Sequence, residues 1–143
     1  MKQKTLLILL IGFIYSCTVE PKPIVYGSDH CYFCDMTVVD KTHAASYTTK
    51  KGKSYSFDAA ECLVRKLNQD NNEAKMAFIL VADYANPGVL VNATSATYLV
   101  SEKIKSPMGA NLSAFSTSET AKKAQSMHGG KIYTWQQIKK KLN

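Results

Sequence analysis

The chain is poor in arginine, and this argues against nucleic acid as the partner of its positive charge. Of 18 basic residues only Arg65 is an arginine, and the lysines are scattered along the sequence. Arginine supplies the bidentate phosphate contacts of many nucleic-acid sites, whereas scattered lysines are typical of a solvated surface. We therefore interpret the formal net charge of +7 as surface charge and expect no nucleic-acid partner.

Catalytic signatures are also missing from the sequence. It contains no glycine-rich phosphate loop after a strand, no paired-histidine metalloprotease helix and no recognisable nucleophile motif. Four cysteines are too few for a small disulfide-framework protein, and 143 residues suffice for one domain but hardly for two. The sequence therefore predicts a binding protein with one folded domain rather than an enzyme.

Long hydrophobic runs are absent too, and the short one at the N-terminus predicts export. Residues 6–15 form an apolar run of about ten residues, whereas a membrane-spanning helix needs roughly 20, and two lysines precede the run. We therefore assign residues 1–16 to a signal peptide. The run ends in Ile-Tyr-Ser-Cys17, which resembles the lipobox of bacterial lipoproteins, in which the cysteine becomes the lipidated N-terminus. Tyr15 is unusual in a lipobox, so secretion without a lipid is the alternative.

A lipid on Cys17 predicts a protein anchored on the periplasmic side of the cell envelope. Residues 18–29 contain two prolines and a glycine without periodicity, which is typical of an extended segment. The predicted organisation is a signal peptide at 1–16, the lipidated cysteine with a tether at 17–29, and one folded domain at 30–143.

The first half of this domain predicts a hairpin, a helix and a buried strand. Weak alternation at 44–49, a Lys-Lys-Gly-Lys turn and a return at 54–57 indicate the hairpin. Asp58 and Glu61 have the spacing of a capping box, so we expect a helix over 59–69. Its buried face is predicted to consist of Ala59, Cys62, Leu63 and Leu67. The continuous apolar run at 76–82 predicts the strand.

The second half repeats this order. Residues 97–100 and 112–115 predict strands, and Ser116 with Glu119 matches a second capping box. The helix that follows is expected to end at Gly129-Gly130, before a short strand at 131–133 and a last helix at 135–142. The prediction is an α+β fold with a loose duplication, in which strands are followed by a capped helix twice.

The most informative segment is His30-Cys31-Tyr32-Phe33-Cys34-Asp35-Met36, which combines an imidazole, two thiols and a thioether. Two cysteines separated by two residues can direct both sulfur atoms to one point. Thiolates and thioethers are soft donors and select Cu(I) over hard cations. Because a thioether is not a usual ligand of Zn(II), the methionine favours copper.

Three other interpretations of the motif remain open. A structural zinc site needs a second pair of ligands, and the remaining Cys62, His43 and His128 include no pair at metal-binding spacing. An exported thiol–disulfide oxidoreductase needs its CxxC at a helix N-terminus after a strand, whereas the β-branched residues 37–39 indicate a loop that enters a strand. A structural disulfide forms readily in an exported protein, and it is the third alternative.

The combined motifs resemble the NosL family, the copper-binding accessory lipoproteins of nitrous oxide reductase maturation. The resemblance rests on the CxxC-x-Met motif after a lipoprotein signal, on Ser-Pro-Met-Gly-Ala-Asn at 106–111, and on Gly-Gly-Lys at 129–131 followed by a tryptophan. It implies two ββα-type modules with small mixed sheets, similar to part of organomercurial lyase. It also implies a membrane-anchored chaperone that binds one Cu(I) and passes it to nitrous oxide reductase or its maturation complex, an ABC-transporter-type assembly machinery.

The resemblance also implies a set of metal ligands. The family motif places them at Cys31, Cys34 and Met36, and the methionine of the Ser-Pro-Met-Gly segment is Met108. His30, next to the first cysteine, is a further candidate as a ligand or as a neighbour of one. Cys62 is expected to be a buried free thiol, since cysteine is often simply a core residue. The family commonly has glycine where this chain has Asp35, which changes the local charge but leaves the sulfur donors in place.

Overall fold

The computed structural model describes residues 18–143, so the predicted signal peptide and Cys17 lie outside the described residues. Within that range the chain forms two sheets, three α-helices and a short 3-10 turn. The elements in chain order are β1 (Ala45–Thr49), β2 (Ser54–Phe57), α1 (Ala60–Asp70), the 3-10 turn (Glu73–Lys75), β3 (Met76–Ala82), β4 (Leu90–Asn92), β5 (Thr97–Val100), β6 (Leu112–Phe115), α2 (Ser118–His128), β7 (Lys131–Tyr133) and α3 (Trp135–Lys141).

Both sheets are antiparallel, and both place the first strand of their module in a central position. The strand orders are β2-β1-β3-β4 and β6-β5-β7. In the first module α1 carries the chain across the sheet, so that β3 pairs with β1 and not with β2. In the second module α2 likewise brings β7 beside β5. The α+β fold with two ββα modules is confirmed, and the predicted mixed sheets are corrected to antiparallel ones.

Strand β4 and the cap of helix α2 also differ from the sequence prediction. Strand β4 was not predicted, because a three-residue strand carries little pattern of its own and depends on pairing with β3. Helix α2 is capped by Thr117, which accepts a hydrogen bond from the Thr120 amide, and not by Ser116. A capping box does occur at α3, where Thr134 and Gln137 bond reciprocally.

The main hydrophobic core joins the two modules and includes two of the cysteines. Cys31 and Cys62 are buried in it beside Phe57, Leu63 and Tyr98. The predicted buried face of α1 is confirmed, because its four residues are at most 2% exposed. A backbone hydrogen bond of 2.8 Å from Tyr84 to Ala114 links the end of the first module to β6 of the second.

The segment before the CxxC motif is hydrogen-bonded to the first module. The Lys22 amide lies 3.2 Å from the Ser54 hydroxyl, and the Gly27 amide donates to the Val38 carbonyl at 2.9 Å. An Asp29 carboxylate oxygen accepts a hydrogen bond of 2.8 Å from the hydroxyl of Ser56. The later part of the predicted tether therefore lies along β2, the edge strand of the first sheet. Among residues 18–143, no helix has both the length and the apolar character needed to cross a membrane.

Candidate metal centre

The CxxC motif lies in a turn that is closed by its own backbone. A single bridge pairs His30 with Thr37, and the Cys31 amide donates to the Met36 carbonyl at 2.8 Å. The Asp35 amide donates to the Cys31 carbonyl at 2.9 Å, which folds the chain back on itself. The predicted loop is thus present, but residues 37–39 contribute one bridge and no strand. The motif is not at a helix N-terminus, the position typical of redox-active CxxC pairs.

The left-handed backbone of Asp35 explains why a glycine is suited to this position. Its φ angle is 64°, a conformation that side chains with a Cβ atom adopt at some cost and glycine adopts freely. Aspartate is one of the residues that tolerate this region best, since its short polar side chain bonds locally. The turn geometry is therefore retained in this chain although a carboxylate replaces the glycine.

Helix α1 directs two further candidate ligands to the same place. Asp58 was predicted to cap the helix, but the N-cap residue is Ala59, which makes no side-chain capping bond. The Asp58 side chain is buried, and within the described part of the chain neither of its carboxylate oxygens has a hydrogen-bond partner. Cys62, one turn later on the helix, is also fully buried. The predicted capping box is therefore wrong, because Ala59 takes the N-cap position and the side chain of Asp58 lies in the interior beside the cysteines.

Four side chains converge at this point. The Sγ atoms of Cys31, Cys34 and Cys62 and a carboxylate oxygen of Asp58 all lie within 4.8 Å of one another. In residues 18–143 the three cysteines are free thiols. Cys34 is half-buried and the other three residues are buried, so the group opens to solvent on the Cys34 side. We call these four residues the thiol cluster.

The thiols of the cluster have unequal acidities. Hydrogen bonding with Cys62 is the main cause that lowers the pKa of Cys31, to about 6, against the opposing effect of burial. Burial raises the pKa of Cys34 to about 11. The pKa of Cys62 is raised by its hydrogen bond to Cys31, by burial and by the nearby Asp58 carboxylate. Cys31 is thus the thiol that is most readily ionised, and the thiolate is the form that binds metals.

The loop that carries Met108 is attached to α1 beside the thiol cluster. The hydroxyl of Ser106 donates to the Glu61 carboxylate and accepts a hydrogen bond of 2.8 Å from the Asn111 amide. Glu61 is fully buried and precedes Cys62 in the helix. Met108 is half-buried and packs against the core cluster that contains Cys31 and Cys62. The structure therefore brings Ser106, which follows Cys31 by 75 residues (106 − 31), into contact with the helix that carries Cys62.

Met36 and His30 lie at the outer side of the motif. Met36 is 52% exposed, and its backbone carbonyl accepts the hydrogen bond from the Cys31 amide. The side chain of His30 is 61% exposed, and its Nδ1 atom lies 3.1 Å from the Asp35 carbonyl oxygen. His30 is not one of the four residues that converge in the thiol cluster.

Sequence reasoning missed Asp58 and Cys62 as members of the site. They are four residues apart at the start of a helix, so they lie on one face and form the second pair of ligands that the zinc interpretation lacked. A signal was present, because Cys62 is a third thiol on the predicted inner face of a helix and the sequence indicates no function for it. The spacing alone could not show that this face meets the CxxC turn.

The fold and the thiol cluster define an α+β protein with a buried, thiol-rich site that could hold a metal ion. The sequence profile of the NosL family matches residues 24–143, and the chain belongs to that family. This confirms the family resemblance of the motifs.

Two relatives illustrate the similarity. The chain is 28% identical to the copper-binding lipoprotein NosL of Stutzerimonas stutzeri, over 96% of this chain and 80% of that protein. It is similar in fold to the crystal structure of the copper chaperone NosL from Shewanella denitrificans, with a TM-score of 0.71 and 20% identity over 83% of this chain and 95% of that one. These relatives are named as copper-binding proteins and not as enzymes.

Proposed function

We propose that the protein binds Cu(I) at the thiol cluster and acts as a copper chaperone. The observation that carries the proposal is the convergence of three sulfur atoms within 4.8 Å in a mostly buried site. Soft thiolate donors in this number suit Cu(I), and burial limits the access of solvent to the ion. Cys31, Cys34 and Cys62 are the proposed thiolate ligands. The copper relatives support this assignment.

Met36 and Met108 are proposed as thioether donors that complete the site or take part in the exchange of the copper ion. Met108 is supported by its loop, which Ser106 attaches to Glu61 beside Cys62. Met36 is supported by its place in the turn that Cys31 closes. Its exposure suits a donor that meets an incoming partner. His30 stays a candidate neighbour of the site and is not needed for the thiolate set.

Asp58 is the observation that favours a second candidate, a structural zinc ion. Three thiolates and one carboxylate are an acceptable tetrahedral donor set for Zn(II). The two metals differ in what they require of Asp58. A soft Cu(I) ion has little affinity for a carboxylate oxygen, whereas a zinc ion would use it as the fourth ligand. Asp58 therefore separates the two functions experimentally.

For delivery, the lipid on Cys17 is proposed to hold the domain on the periplasmic side of the membrane. From there the protein would pass Cu(I) to nitrous oxide reductase or its maturation machinery. This part rests on the lipobox resemblance and on the lipoprotein name of the Stutzerimonas relative.

A metal competition experiment tests the site. The reduced protein is titrated with Cu(I) in the presence of a chromogenic chelator, with and without excess Zn(II). We expect one Cu(I) per chain, held against Zn(II), and proton release as the thiols ionise. Cys62→Ser should weaken Cu(I) binding strongly, while Asp58→Asn should leave it within a few-fold. Tight Zn(II) binding that Asp58→Asn abolishes would instead establish the zinc site.

The thioethers are tested with a matched control. Met36→Leu and Met108→Leu should each weaken Cu(I) binding by about 10–100-fold, the range for groups that support a metal site. Met127→Leu is the control, since Met127 is 59% exposed on α2. Equal affinities in all three variants would remove both methionines from the site.

A further inference from the structure

Four lysines surround one concavity at the tip of the β1–β2 hairpin. Lys50, Lys51, Lys53 and Lys75 are all exposed and line a surface depression of about 600 Å³. A backbone hydrogen bond of 3.0 Å from the Lys50 amide to the Lys75 carbonyl holds the two lysine segments together. Neither Asp nor Glu is among the residues that line this depression. We call these four lysines the basic hairpin surface.

The floor of the depression is apolar where it meets the lysines. Tyr55 and Met76 are half-buried and line it, and the ammonium group of Lys53 lies 4.9 Å from the centre of the Tyr55 ring. Lysines with long apolar stems around an aromatic floor are suited to a boundary between an apolar layer and charged groups. Tyrosine is itself enriched at membrane–water interfaces.

The start of the described chain brings the proposed lipid anchor close to this surface. The Lys22 amide is bound to Ser54, the first residue of β2 after the hairpin turn. Cys17 precedes Lys22 by five residues (22 − 17). Five residues span at most about 18 Å even when fully extended. The residue that carries the proposed lipid is therefore attached within about 18 Å of Lys22, which is itself bound next to the hairpin turn.

We propose that the basic hairpin surface binds the anionic phospholipid headgroups of the membrane that holds the anchor. The inference rests on the lipidation of Cys17 that belongs to the proposed function. Four positive charges without a lining carboxylate match a negatively charged leaflet, and each lysine near such a surface strengthens binding by roughly fivefold. The short connection to Cys17 makes this contact intramolecular and thus favours it further.

This contact would fix the height of the metal site above the membrane. Strand β2 leads from the hairpin at Ser54 to Phe57, and Asp58 of the thiol cluster follows directly. Four residues of strand correspond to about 13 Å. The thiol cluster would therefore be held just above the headgroups, where a membrane-bound recipient can reach it.

The test uses the mature lipoprotein, purified from membranes and reconstituted into vesicles. One preparation is pure phosphatidylcholine, and the other contains 30% phosphatidylglycerol by design. A water-soluble acylating reagent modifies exposed lysines, and mass spectrometry gives the rate at each site. We expect acylation of the four hairpin lysines to slow several-fold in the anionic vesicles and to recover in 1 M salt, where screening acts over about 3 Å. Lys122 and Lys123, exposed on α2, should react equally in both preparations.

A charge variant and a matched control complete the experiment. In the triple variant Lys50→Gln, Lys51→Gln, Lys53→Gln, the remaining Lys75 should lose its protection. In the control Lys122→Gln, Lys123→Gln, Lys131→Gln, Lys75 should keep it. Both variants should retain the far-UV circular dichroism of the unmodified protein.

The outcomes separate this inference from the anchoring proposal. Flotation with phosphatidylcholine vesicles reports the lipid on Cys17. Protein that floats but reacts equally in both preparations would overturn the headgroup contact and leave the anchor standing. Protein that floats with anionic vesicles alone would overturn the anchor and support the basic hairpin surface. Protein that floats with neither would overturn both.

Discussion

Substitution of Ser106 by alanine tests whether the Met108 loop is coupled to the thiol cluster. The Ser106 hydroxyl contacts the carboxylate of Glu61, which is fully buried, and it also accepts the Asn111 amide. The second oxygen of Glu61 has no hydrogen-bond partner among residues 18–143. Ser106→Ala therefore removes a contact that a buried carboxyl group can replace only with water.

The size of the effect follows from these contacts. A typical hydrogen bond contributes about 0.5–1.5 kcal/mol, and a buried donor or acceptor left without a partner costs about 1–3 kcal/mol. We expect Ser106→Ala to lower the free energy of unfolding by about 2–4 kcal/mol in total. If the loop positions Met108 for the metal, Cu(I) affinity should fall by about 10–100-fold as well.

Ser113→Ala is the matched control for this change. Ser113 is 1% exposed in β6, and its hydroxyl lies 3.3 Å from Nε2 of His43; neither residue is a member of the thiol cluster. Its loss should cost about 1–2 kcal/mol of stability and leave Cu(I) affinity unchanged. Urea unfolding gives the stabilities, and chelator competition gives the affinities of the folded proteins.

Two results would refute this reasoning. If Ser106→Ala and Ser113→Ala bind Cu(I) equally well, the Met108 loop is not coupled to the metal site. If Ser106→Ala unfolds at the same urea concentration as the unmodified protein, the contact with Glu61 does not stabilise the fold.

Three further predictions concern the turn, the acid stability and the anchor. Asp35→Gly should raise or preserve the melting temperature, because glycine adopts the left-handed conformation of this position without strain. Asp35→Val should lower stability by about 1–3 kcal/mol, and equal melting temperatures of the two variants would contradict the strained turn. Burial raises the pKa of Asp83, but hydrogen bonds from Asn86 and Ser116 outweigh burial and leave that pKa lowered. Its stabilisation is therefore present above about pH 4 and is lost as the pH falls further, so Asp83→Asn should flatten the acid limb of urea-measured stability, and an unchanged limb would argue against it. Cys17→Ser should move the protein from the membrane to the soluble fraction, and unchanged retention would reject the lipid anchor.

The secondary structure was largely predictable because each module carries strong local signals. Six of the strands coincide with predicted segments within one residue. Helix α1 also lies where its apolar spacing placed it. Local prediction was wrong where a side chain makes its contacts in the interior and not with the backbone close to it in sequence. Asp58 has the spacing of a helix cap, but its carboxylate lies among thiols, and Glu61 contacts Ser106. Departures from local rules of this kind are typical of functional sites.

The sequence by itself determined the repeated order of strands followed by a helix and the soft-donor character of the CxxC-x-Met motif, and its combined motifs carried the resemblance to the family. These follow from residue types at short spacing, which need no knowledge of distant contacts. Only the tertiary structure decided that Cys62 and Asp58 join Cys31 and Cys34, and that the Met108 loop is attached to the same helix. The reason is physical: burial of the apolar face of α1 turns Cys62 inward against the motif turn. No pattern of residues 28 positions apart (62 − 34) can encode that meeting, because packing of the whole core produces it.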